Sequence, residues 1–265
     1  MPHHSNHESL RPNVSAVKKR VSILTQVLRK AAATPPPEML MQWMEKWSEE
    51  DREHFVRESN ARRAACLSRM KEVGLWDEMD EQERLFMETG DLETTQRQMI
   101  DASWLAESIA CLLWALGQLE EMPGYDEEAS FEWIKSHLVN RVQEDTKSAC
   151  LRSAEEIDRK RDLAELWNWR CRTRRLLESK EVSVVLQNGM TMDEIVRLCA
   201  IKATEEYAFN SPIGNDFPAF GKPFREISVD EFAMATSIAQ ERHRAFNWLC
   251  GYAPGNRWNE TPTDT

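Results

Sequence analysis

Residues 104–116, WLAESIACLLWAL, are the segment that most constrains how this chain can fold. They carry one charge, at Glu107, and their apolar side chains would cover every face of a helix instead of a single stripe. A helix with an apolar circumference has to be enclosed by other elements, because exposed apolar surface is unfavourable in water. The sequence therefore predicts a buried central helix over about residues 95–121 within a multi-helix domain.

Helical patterns continue along most of the chain, which predicts an all-α fold. Apolar residues recur at helical spacing over residues 153–179, and a long final helix is predicted over about residues 229–250. The strand signal is confined to VSVVL at 182–186, which could equally continue a helix. Polar residues 1–13 predict a disordered tail, and residues 14–265 are predicted to form a single compact helical domain.

One long connection interrupts the helical pattern at residues 210–227. Its sequence is rich in proline, glycine and phenylalanine, and it has no helical or strand period. A connection of this length without regular structure is unusual inside a compact domain. We therefore predict either a flap docked on the domain or a functional loop.

Charge and composition restrict the partners of the protein. The chain has 34 Lys and Arg residues against 45 Asp and Glu residues, a formal net charge of −11, which disfavours binding to a nucleic-acid backbone. No stretch approaches the roughly twenty apolar residues of a membrane span, and no secretory signal is recognised, so we expect a cytoplasmic protein that does not enter a membrane. The six cysteines lack zinc spacing and no cofactor-binding motif occurs, so neither a metal site nor a cofactor is predicted.

The final helix places polar residues at the edge of its apolar stripe. Arg242 falls inside the stripe, His243 lies on its border, and Asn247 shares a face with His243. A buried guanidinium needs a carboxylate or several carbonyls, and Glu107 needs a partner for the same reason. We predict that Glu107 pairs with Arg242 or with Arg170. These five residues are called the polar seam below.

The opposite side of the final helix also carries a large apolar group. Trp248 lies there together with Glu241, so this side is expected to be covered as well. The C-terminal run GNRWNETPTDT is the candidate cover, acting through Trp258.

The runs GKPFREISVDEF and ERHRAFNWLCGYAPGNRWNETPTDT, with SWLAESIACLLWALGQLEE and LRSAEEIDRKRDLAELWNWRCR, resemble the domain of unknown function 4272 family. The resemblance covers about residues 60–265 in blocks. It implies a mostly bacterial, α-helical domain without an assigned activity. The recurring family positions that it implies here are Trp104, Glu107, Trp114, Glu241, Arg242, Asn247, Trp248, Trp258 and Asp264.

Two functions of different classes remain open. The first is a non-catalytic protein-interaction module, since the common catalytic motifs are absent. The alternative is an enzyme or small-ligand-binding protein with a polar pocket between the central and final helices, under the 210–227 loop. In an enzyme, His243 would be the general acid or base, with Glu107 or Asp264 as the orienting carboxylate. An open cavity at His243, Asn247 and Glu107 would favour this alternative, and a sealed interior with an exposed apolar patch would favour the first function.

Overall fold

The structure is a computed structural model that describes residues 11–139, 150–179, 189–207 and 210–263. Two short strands, β1 (Pro218–Ala219) and β2 (Lys222–Pro223), pair antiparallel. The remaining regular structure in this part is helical, so the all-α prediction is confirmed; the VSVVL segment lies outside the described residues. The helices α1 to α9 span Val14–Ala33, Pro37–Lys46, Glu49–Glu72, Glu81–Glu88, Gln96–Ala115, Phe131–Val139, Ala154–Glu178, Met192–Tyr207 and Val229–Leu249.

The chain divides into two compact units. The N-terminal unit comprises Val14–Ile109 and Ser130–Ser148, and the C-terminal unit comprises Met1–Asn13, Ala110–Ala129 and Ala149–Thr265. That residues 14–265 form one domain stays a prediction. Arg11, inside the predicted disordered tail, donates two hydrogen bonds to the Asp158 carboxylate at 2.7 and 2.9 Å, whereas residues 1–10 lie outside the described ones.

The core of the N-terminal unit is built by α1, α3 and α4. Val27 of α1, Met70 of α3 and Phe86 of α4 belong to one buried apolar cluster. Beside it, Arg20 Nη1 donates to both carboxylate oxygens of Glu83 at 2.8 and 3.0 Å, and this ion pair is buried. Because each charge satisfies the other, the pair can be enclosed without an unmet charge.

Helix α5 confirms the predicted buried helix. Every residue from Ala106 to Leu116 is buried, including Glu107. The helix ends at Ala115, earlier than the predicted residue 121, because Gly117 has a left-handed φ of +67°. The N–H of the following Gln118 donates to the Leu113 carbonyl, a pattern that closes helix C-termini.

In the C-terminal unit, α7 packs along α9, and α8 packs against α7. Helix α9 begins with a capping box in which Ser228 and Glu231 satisfy each other's backbone N–H groups. The 210–227 loop is docked on α7, since Phe217 and Phe224 are fully buried and meet the Trp167 ring edge-on. Of the two predicted alternatives for this loop, the docked flap is the one observed.

Candidate functional site

The polar residues predicted on the final helix are buried within the C-terminal unit. Arg242 and His243 have 1% and 0% of their surface exposed, and Asn247 is also buried. Arg170 of α7 is buried too, and its guanidinium contacts the 210–227 loop. Glu107, the fifth member of the polar seam, belongs to the N-terminal unit and is fully buried.

Arg170 pairs with a carboxylate that sequence reasoning did not single out. Its Nε and Nη2 donate to the two oxygens of Asp216 at 2.8 and 2.7 Å. Asp216 also accepts the backbone N–H groups of Phe217 and Arg225. Burial opposes the charge on Asp216, but the hydrogen bonds and charge of Arg170, with those two N–H groups, hold its pKa below the usual value. The predicted alternative in which Arg170 pairs with Glu107 is therefore corrected, because Asp216 occupies the guanidinium in a bidentate manner.

Arg242 is satisfied in part by backbone carbonyls. Its Nη1 donates to the Pro123 carbonyl at 2.7 Å, and its Nη2 donates to the Glu127 carbonyl at 3.3 Å. The guanidinium also lies over the Tyr125 ring, 4.7 Å from its centre. Several carbonyls were one of the two predicted ways to bury this cation, and the pairing of Arg242 with Glu107 stays a prediction.

Asn247 has an orientation that its neighbours define. Its Oδ1 accepts from Arg161 Nε at 3.1 Å, and its Nδ2 donates to the Pro262 carbonyl at 2.7 Å. The second hydrogen of Nδ2 points to His243, whose Nε2 is 3.0 Å away. Because the carboxamide nitrogen can only donate, this contact is a hydrogen bond when Nε2 of His243 carries no proton.

At the other nitrogen of the ring, Asn168 Nδ2 lies 3.2 Å from Nδ1, and the backbone of Thr263 provides a hydrogen bond to the ring. Asn168 Nδ2 donates to the same Thr263 carbonyl at 2.8 Å. Burial, reinforced by the nearby charge of Arg161, lowers the pKa of His243 to about 4, so the ring is neutral near pH 7. A proton-transfer role for His243 would require the ring to give up its hydrogen bond with Asn247.

Three side chains, those of Asn168, His243 and Asn247, bind the backbone of Pro262 and Thr263, the last described residues of the chain. This arrangement is called the C-terminal clamp. Asn168 was missed by the sequence analysis. Its signal was its position on α7, four residues after Ala164 and three before Cys171, both of which are buried. Asp264, the other candidate carboxylate, lies outside the described residues.

The C-terminal segment covers the outer side of α9 as predicted. Trp258 is buried, and its ring meets that of Trp248 edge-on, with ring centres 5.5 Å apart. The Trp248 indole Nε1 donates to the Asn256 carbonyl at 3.0 Å, which satisfies the polar atom of this buried ring.

The other family positions have packing or surface contacts. Trp114 lies edge-on to Phe246, with ring centres 5.8 Å apart. Glu241 forms an ion pair with Arg244 one turn further along α9, at 3.1 Å. Trp104 is half-buried on α5.

A cavity of about 180 Å³ lies in the C-terminal unit, between α7, α9 and residues 122–126. Lys160 and Trp167 line it from α7, and Arg242 lines it from α9. The 210–227 loop contributes Pro218 and Asn210. Among the described residues, the lining includes neither His243 nor Asn247, so the cavity differs from the predicted pocket between the central and final helices.

A surface in the N-terminal unit exposes large apolar side chains. On α2, Met39, Met41 and Trp43 have 42%, 61% and 38% of their surface exposed. The Trp43 ring lies 5.9 Å from Trp47, and Trp47 lies 5.4 Å from Phe55 of α3. These five residues are called the α2 surface. The sequence analysis did not single it out, although MLMQWMEKW has more apolar positions than one buried stripe needs.

The described part of the chain holds no group of three or more His, Cys, Asp and Glu side chains that could bind a metal ion. None of its helices is both long enough and apolar enough to cross a membrane.

Comparison with known proteins gives one match. The family described as Domain of unknown function (DUF4272) matches residues 1–194. No curated protein and no solved structure matches the chain. The match includes the first 59 residues, which lie outside the resemblance described above, and it ends before α9.

Proposed function

The chain belongs to the family Domain of unknown function (DUF4272), and we propose that it is a non-catalytic protein-interaction module that binds a basic amphipathic helix of a partner protein. The observation that carries the proposal is the exposure of the α2 surface. Met39, Met41 and Trp43 of α2, Trp47 at the end of this helix and Phe55 of α3 form this surface, and Leu40 is the one buried residue of α2. Met39, Trp43 and Trp47 follow one another at four-residue spacing and share one side of the helix, and apolar surface of this kind is typical of interaction sites.

The residue types of the α2 surface suit helix recognition. Trp43 and Trp47 supply large rings that bury much area at low conformational cost, and tryptophan is enriched among residues that dominate binding energy. Met39 and Met41 are unbranched and polarisable, so they adapt to differently shaped partners. A partner helix with apolar residues at i, i+3, i+4 and i+7 would present a matching stripe.

Charge selects a basic partner. The exposed acidic residues of α2 and the start of α3 outnumber the exposed basic ones, Lys46 and Arg52. A negative rim around an apolar surface attracts a positively charged segment and disfavours an acidic one. The acidic residues are Glu38, Glu45, Glu49, Glu50, Asp51 and Glu53.

The C-terminal clamp supports a non-catalytic role. Its polar atoms are directed at one another and at the backbone of the chain. An acid or base role for His243 has less support, because the ring is fully buried and a side-chain amide lies within 3.2 Å of each of its nitrogens.

The test is calorimetric titration of the full chain with two peptides of about 18 residues, each long enough for a helix of several turns. One peptide places leucines on one helical face and lysines on the other; the second has the same lysines and serine in place of leucine. We expect saturable binding of the Lys/Leu peptide alone. Equal binding of both peptides would show that charge alone drives the interaction, and this would contradict a role for the apolar surface. Failure of the Lys/Leu peptide to bind would overturn the proposal.

Variants locate the binding surface. Combining Trp43→Ala with Met39→Ala should weaken binding of the Lys/Leu peptide at least about tenfold, since central aromatic residues carry most of such interfaces. The matched control is Leu85→Ala, which removes another exposed apolar side chain of the same unit and should change the dissociation constant by less than about twofold. Equal effects of the two changes would contradict the assignment to α2.

A further inference from the structure

A lysine without a hydrogen-bonding partner lines the cavity between α7, α9 and residues 122–126. Lys160 is half-buried, and the described structure gives its ammonium no hydrogen bond and no carboxylate partner. It lies over the face of the Trp114 ring, 5.7 Å from the ring centre. Partial burial of an ammonium reduces its hydration, so an anion that enters the cavity would gain a charged partner there.

The other residues that line the cavity determine which net charge a ligand can carry there. Arg242 contributes a second positive charge, already directed at the Pro123 and Glu127 carbonyls. Asp126 contributes a negative charge, and its Oδ2 accepts the backbone N–H of Phe220 at 2.9 Å. Burial lowers the pKa of Lys160, and the charges of Arg242 and Arg152 act in the same direction. Asp126 in the lining and Glu121, whose charge also acts on Lys160, disfavour a dianion in so small a space, so a single negative charge suits the Lys160 ammonium better than two.

The volume of the cavity and its apolar walls restrict the size and chemical class of the ligand further. The volume of about 180 Å³ is below the roughly 300–1,000 Å³ of pockets for drug-sized ligands. Leu163, Trp167 and Phe246 provide apolar lining next to the charged groups. A short hydrocarbon attached to one anionic group fits this combination.

We propose that this cavity is a binding site for a small monocarboxylate, whose carboxylate pairs with the Lys160 ammonium and whose short apolar part lies against Trp167 and Phe246. The site belongs to the C-terminal unit, whereas the α2 surface belongs to the N-terminal unit. The two proposals are therefore tested by different measurements.

The experiment titrates the full chain with butyrate and, separately, with inorganic phosphate at constant ionic strength, using calorimetry and the thermal unfolding midpoint. We expect saturable binding of butyrate and a rise of the midpoint with butyrate concentration, because a ligand that binds the folded state stabilises it. Phosphate should bind at least about tenfold more weakly. Absence of saturable butyrate binding, or phosphate binding of equal strength, would overturn the proposal.

Variants test the role of Lys160. Lys160→Met should fold, because it replaces a half-buried charge by an apolar side chain of similar length, and it should weaken butyrate binding at least about tenfold. Lys160→Arg keeps the charge and should retain part of the affinity. The matched control, Lys202→Met, removes an exposed lysine of α8 that pairs with Glu206 and should leave butyrate binding unchanged. Undiminished binding by folded Lys160→Met would place the carboxylate elsewhere.

Discussion

His243 shows how a histidine can be fixed in one protonation state by its neighbours. Arg161 can only donate and the Pro262 carbonyl can only accept, so together they orient the Asn247 carboxamide. The carboxamide in turn directs its nitrogen at Nε2 of His243, while Asn168 directs its own nitrogen at Nδ1. The consequence is a neutral, hydrogen-bonded ring in a position where a titrating ring would disrupt the packing of α7 against α9.

Asn247→Ala tests this network at a single residue. The change removes hydrogen bonds with Arg161, with the Pro262 carbonyl and with His243, the one of these residues that is fully buried. We expect a loss of about 3 kcal/mol in the free energy of unfolding, measured by urea titration. Asn60→Ala, at an exposed asparagine of α3, is the control and should cost less than about 0.5 kcal/mol. Equal losses would show that the network contributes little.

The pH dependence of stability gives a second test of His243. Its pKa is about 4 in the folded state against 6.5 for the free side chain, so the unfolded chain binds more protons between these values. The stabilising contribution is therefore complete above about pH 6.5 and falls as the pH drops towards 4, by roughly 3 kcal/mol in total.

Urea titrations of wild type and His243→Gln between pH 4 and 7 measure this contribution. The carboxylates titrate in both proteins, so the difference between the two curves isolates His243. We expect the wild type to lose more stability on acidification than the variant. Parallel curves would mean that the folded ring takes up its proton as readily as the unfolded chain does.

The 210–227 loop shows how an element without a regular period is fixed in place. Asp216 anchors it to Arg170 of α7, and the same carboxylate accepts two backbone N–H groups of the loop. Phe217 and Phe224 then bury their rings against Trp167. Arg174 of the same helix also donates to the Phe224 and Ile227 carbonyls, so the loop is held by charged side chains and by aromatic packing on α7.

Asp216→Asn tests the anchor of this loop. The substitution keeps the shape of the side chain but leaves the buried Arg170 guanidinium without its counter-charge. We expect a loss of about 3–5 kcal/mol in the free energy of unfolding. Asp77→Asn, at an exposed aspartate, should change it by less than about 0.5 kcal/mol and serves as the control. A loss below about 1 kcal/mol for Asp216→Asn would contradict the anchoring role.

For the whole molecule, the helical architecture was predictable because apolar periodicity acts over neighbouring turns. Such local patterns predicted the burial of Arg242 and the start of α9, which Ser228 caps. The acceptors of Arg242 did not, since the Pro123 and Glu127 carbonyls are more than a hundred residues away and belong to an irregular segment. Asp216 was missed for the same reason, because no period relates a loop carboxylate to a helix.

The family match ends before α9, which suggests a test of whether α7 depends on α9. Residues 1–194 include α7 but not α9, although Trp167 and Cys171 of α7 are buried in the unit that the two helices form. A fragment of residues 1–194 should therefore expose the apolar side of α7. We expect the α7 amides to lose their protection against hydrogen exchange, and co-expression of residues 195–265 to restore it. Full protection in the fragment alone would show that α7 does not need α9.

The C-terminal clamp binds main-chain oxygens instead of side chains. Every acceptor that it uses at positions 262 and 263 is a carbonyl that any amino acid would offer. In evolutionary terms, the residues at positions 262 and 263 can change while selection acts on Asn168, His243 and Asn247, which bind their carbonyls. Relatives that keep these three residues should therefore hold this part of the chain in the same place, even where its two residues differ.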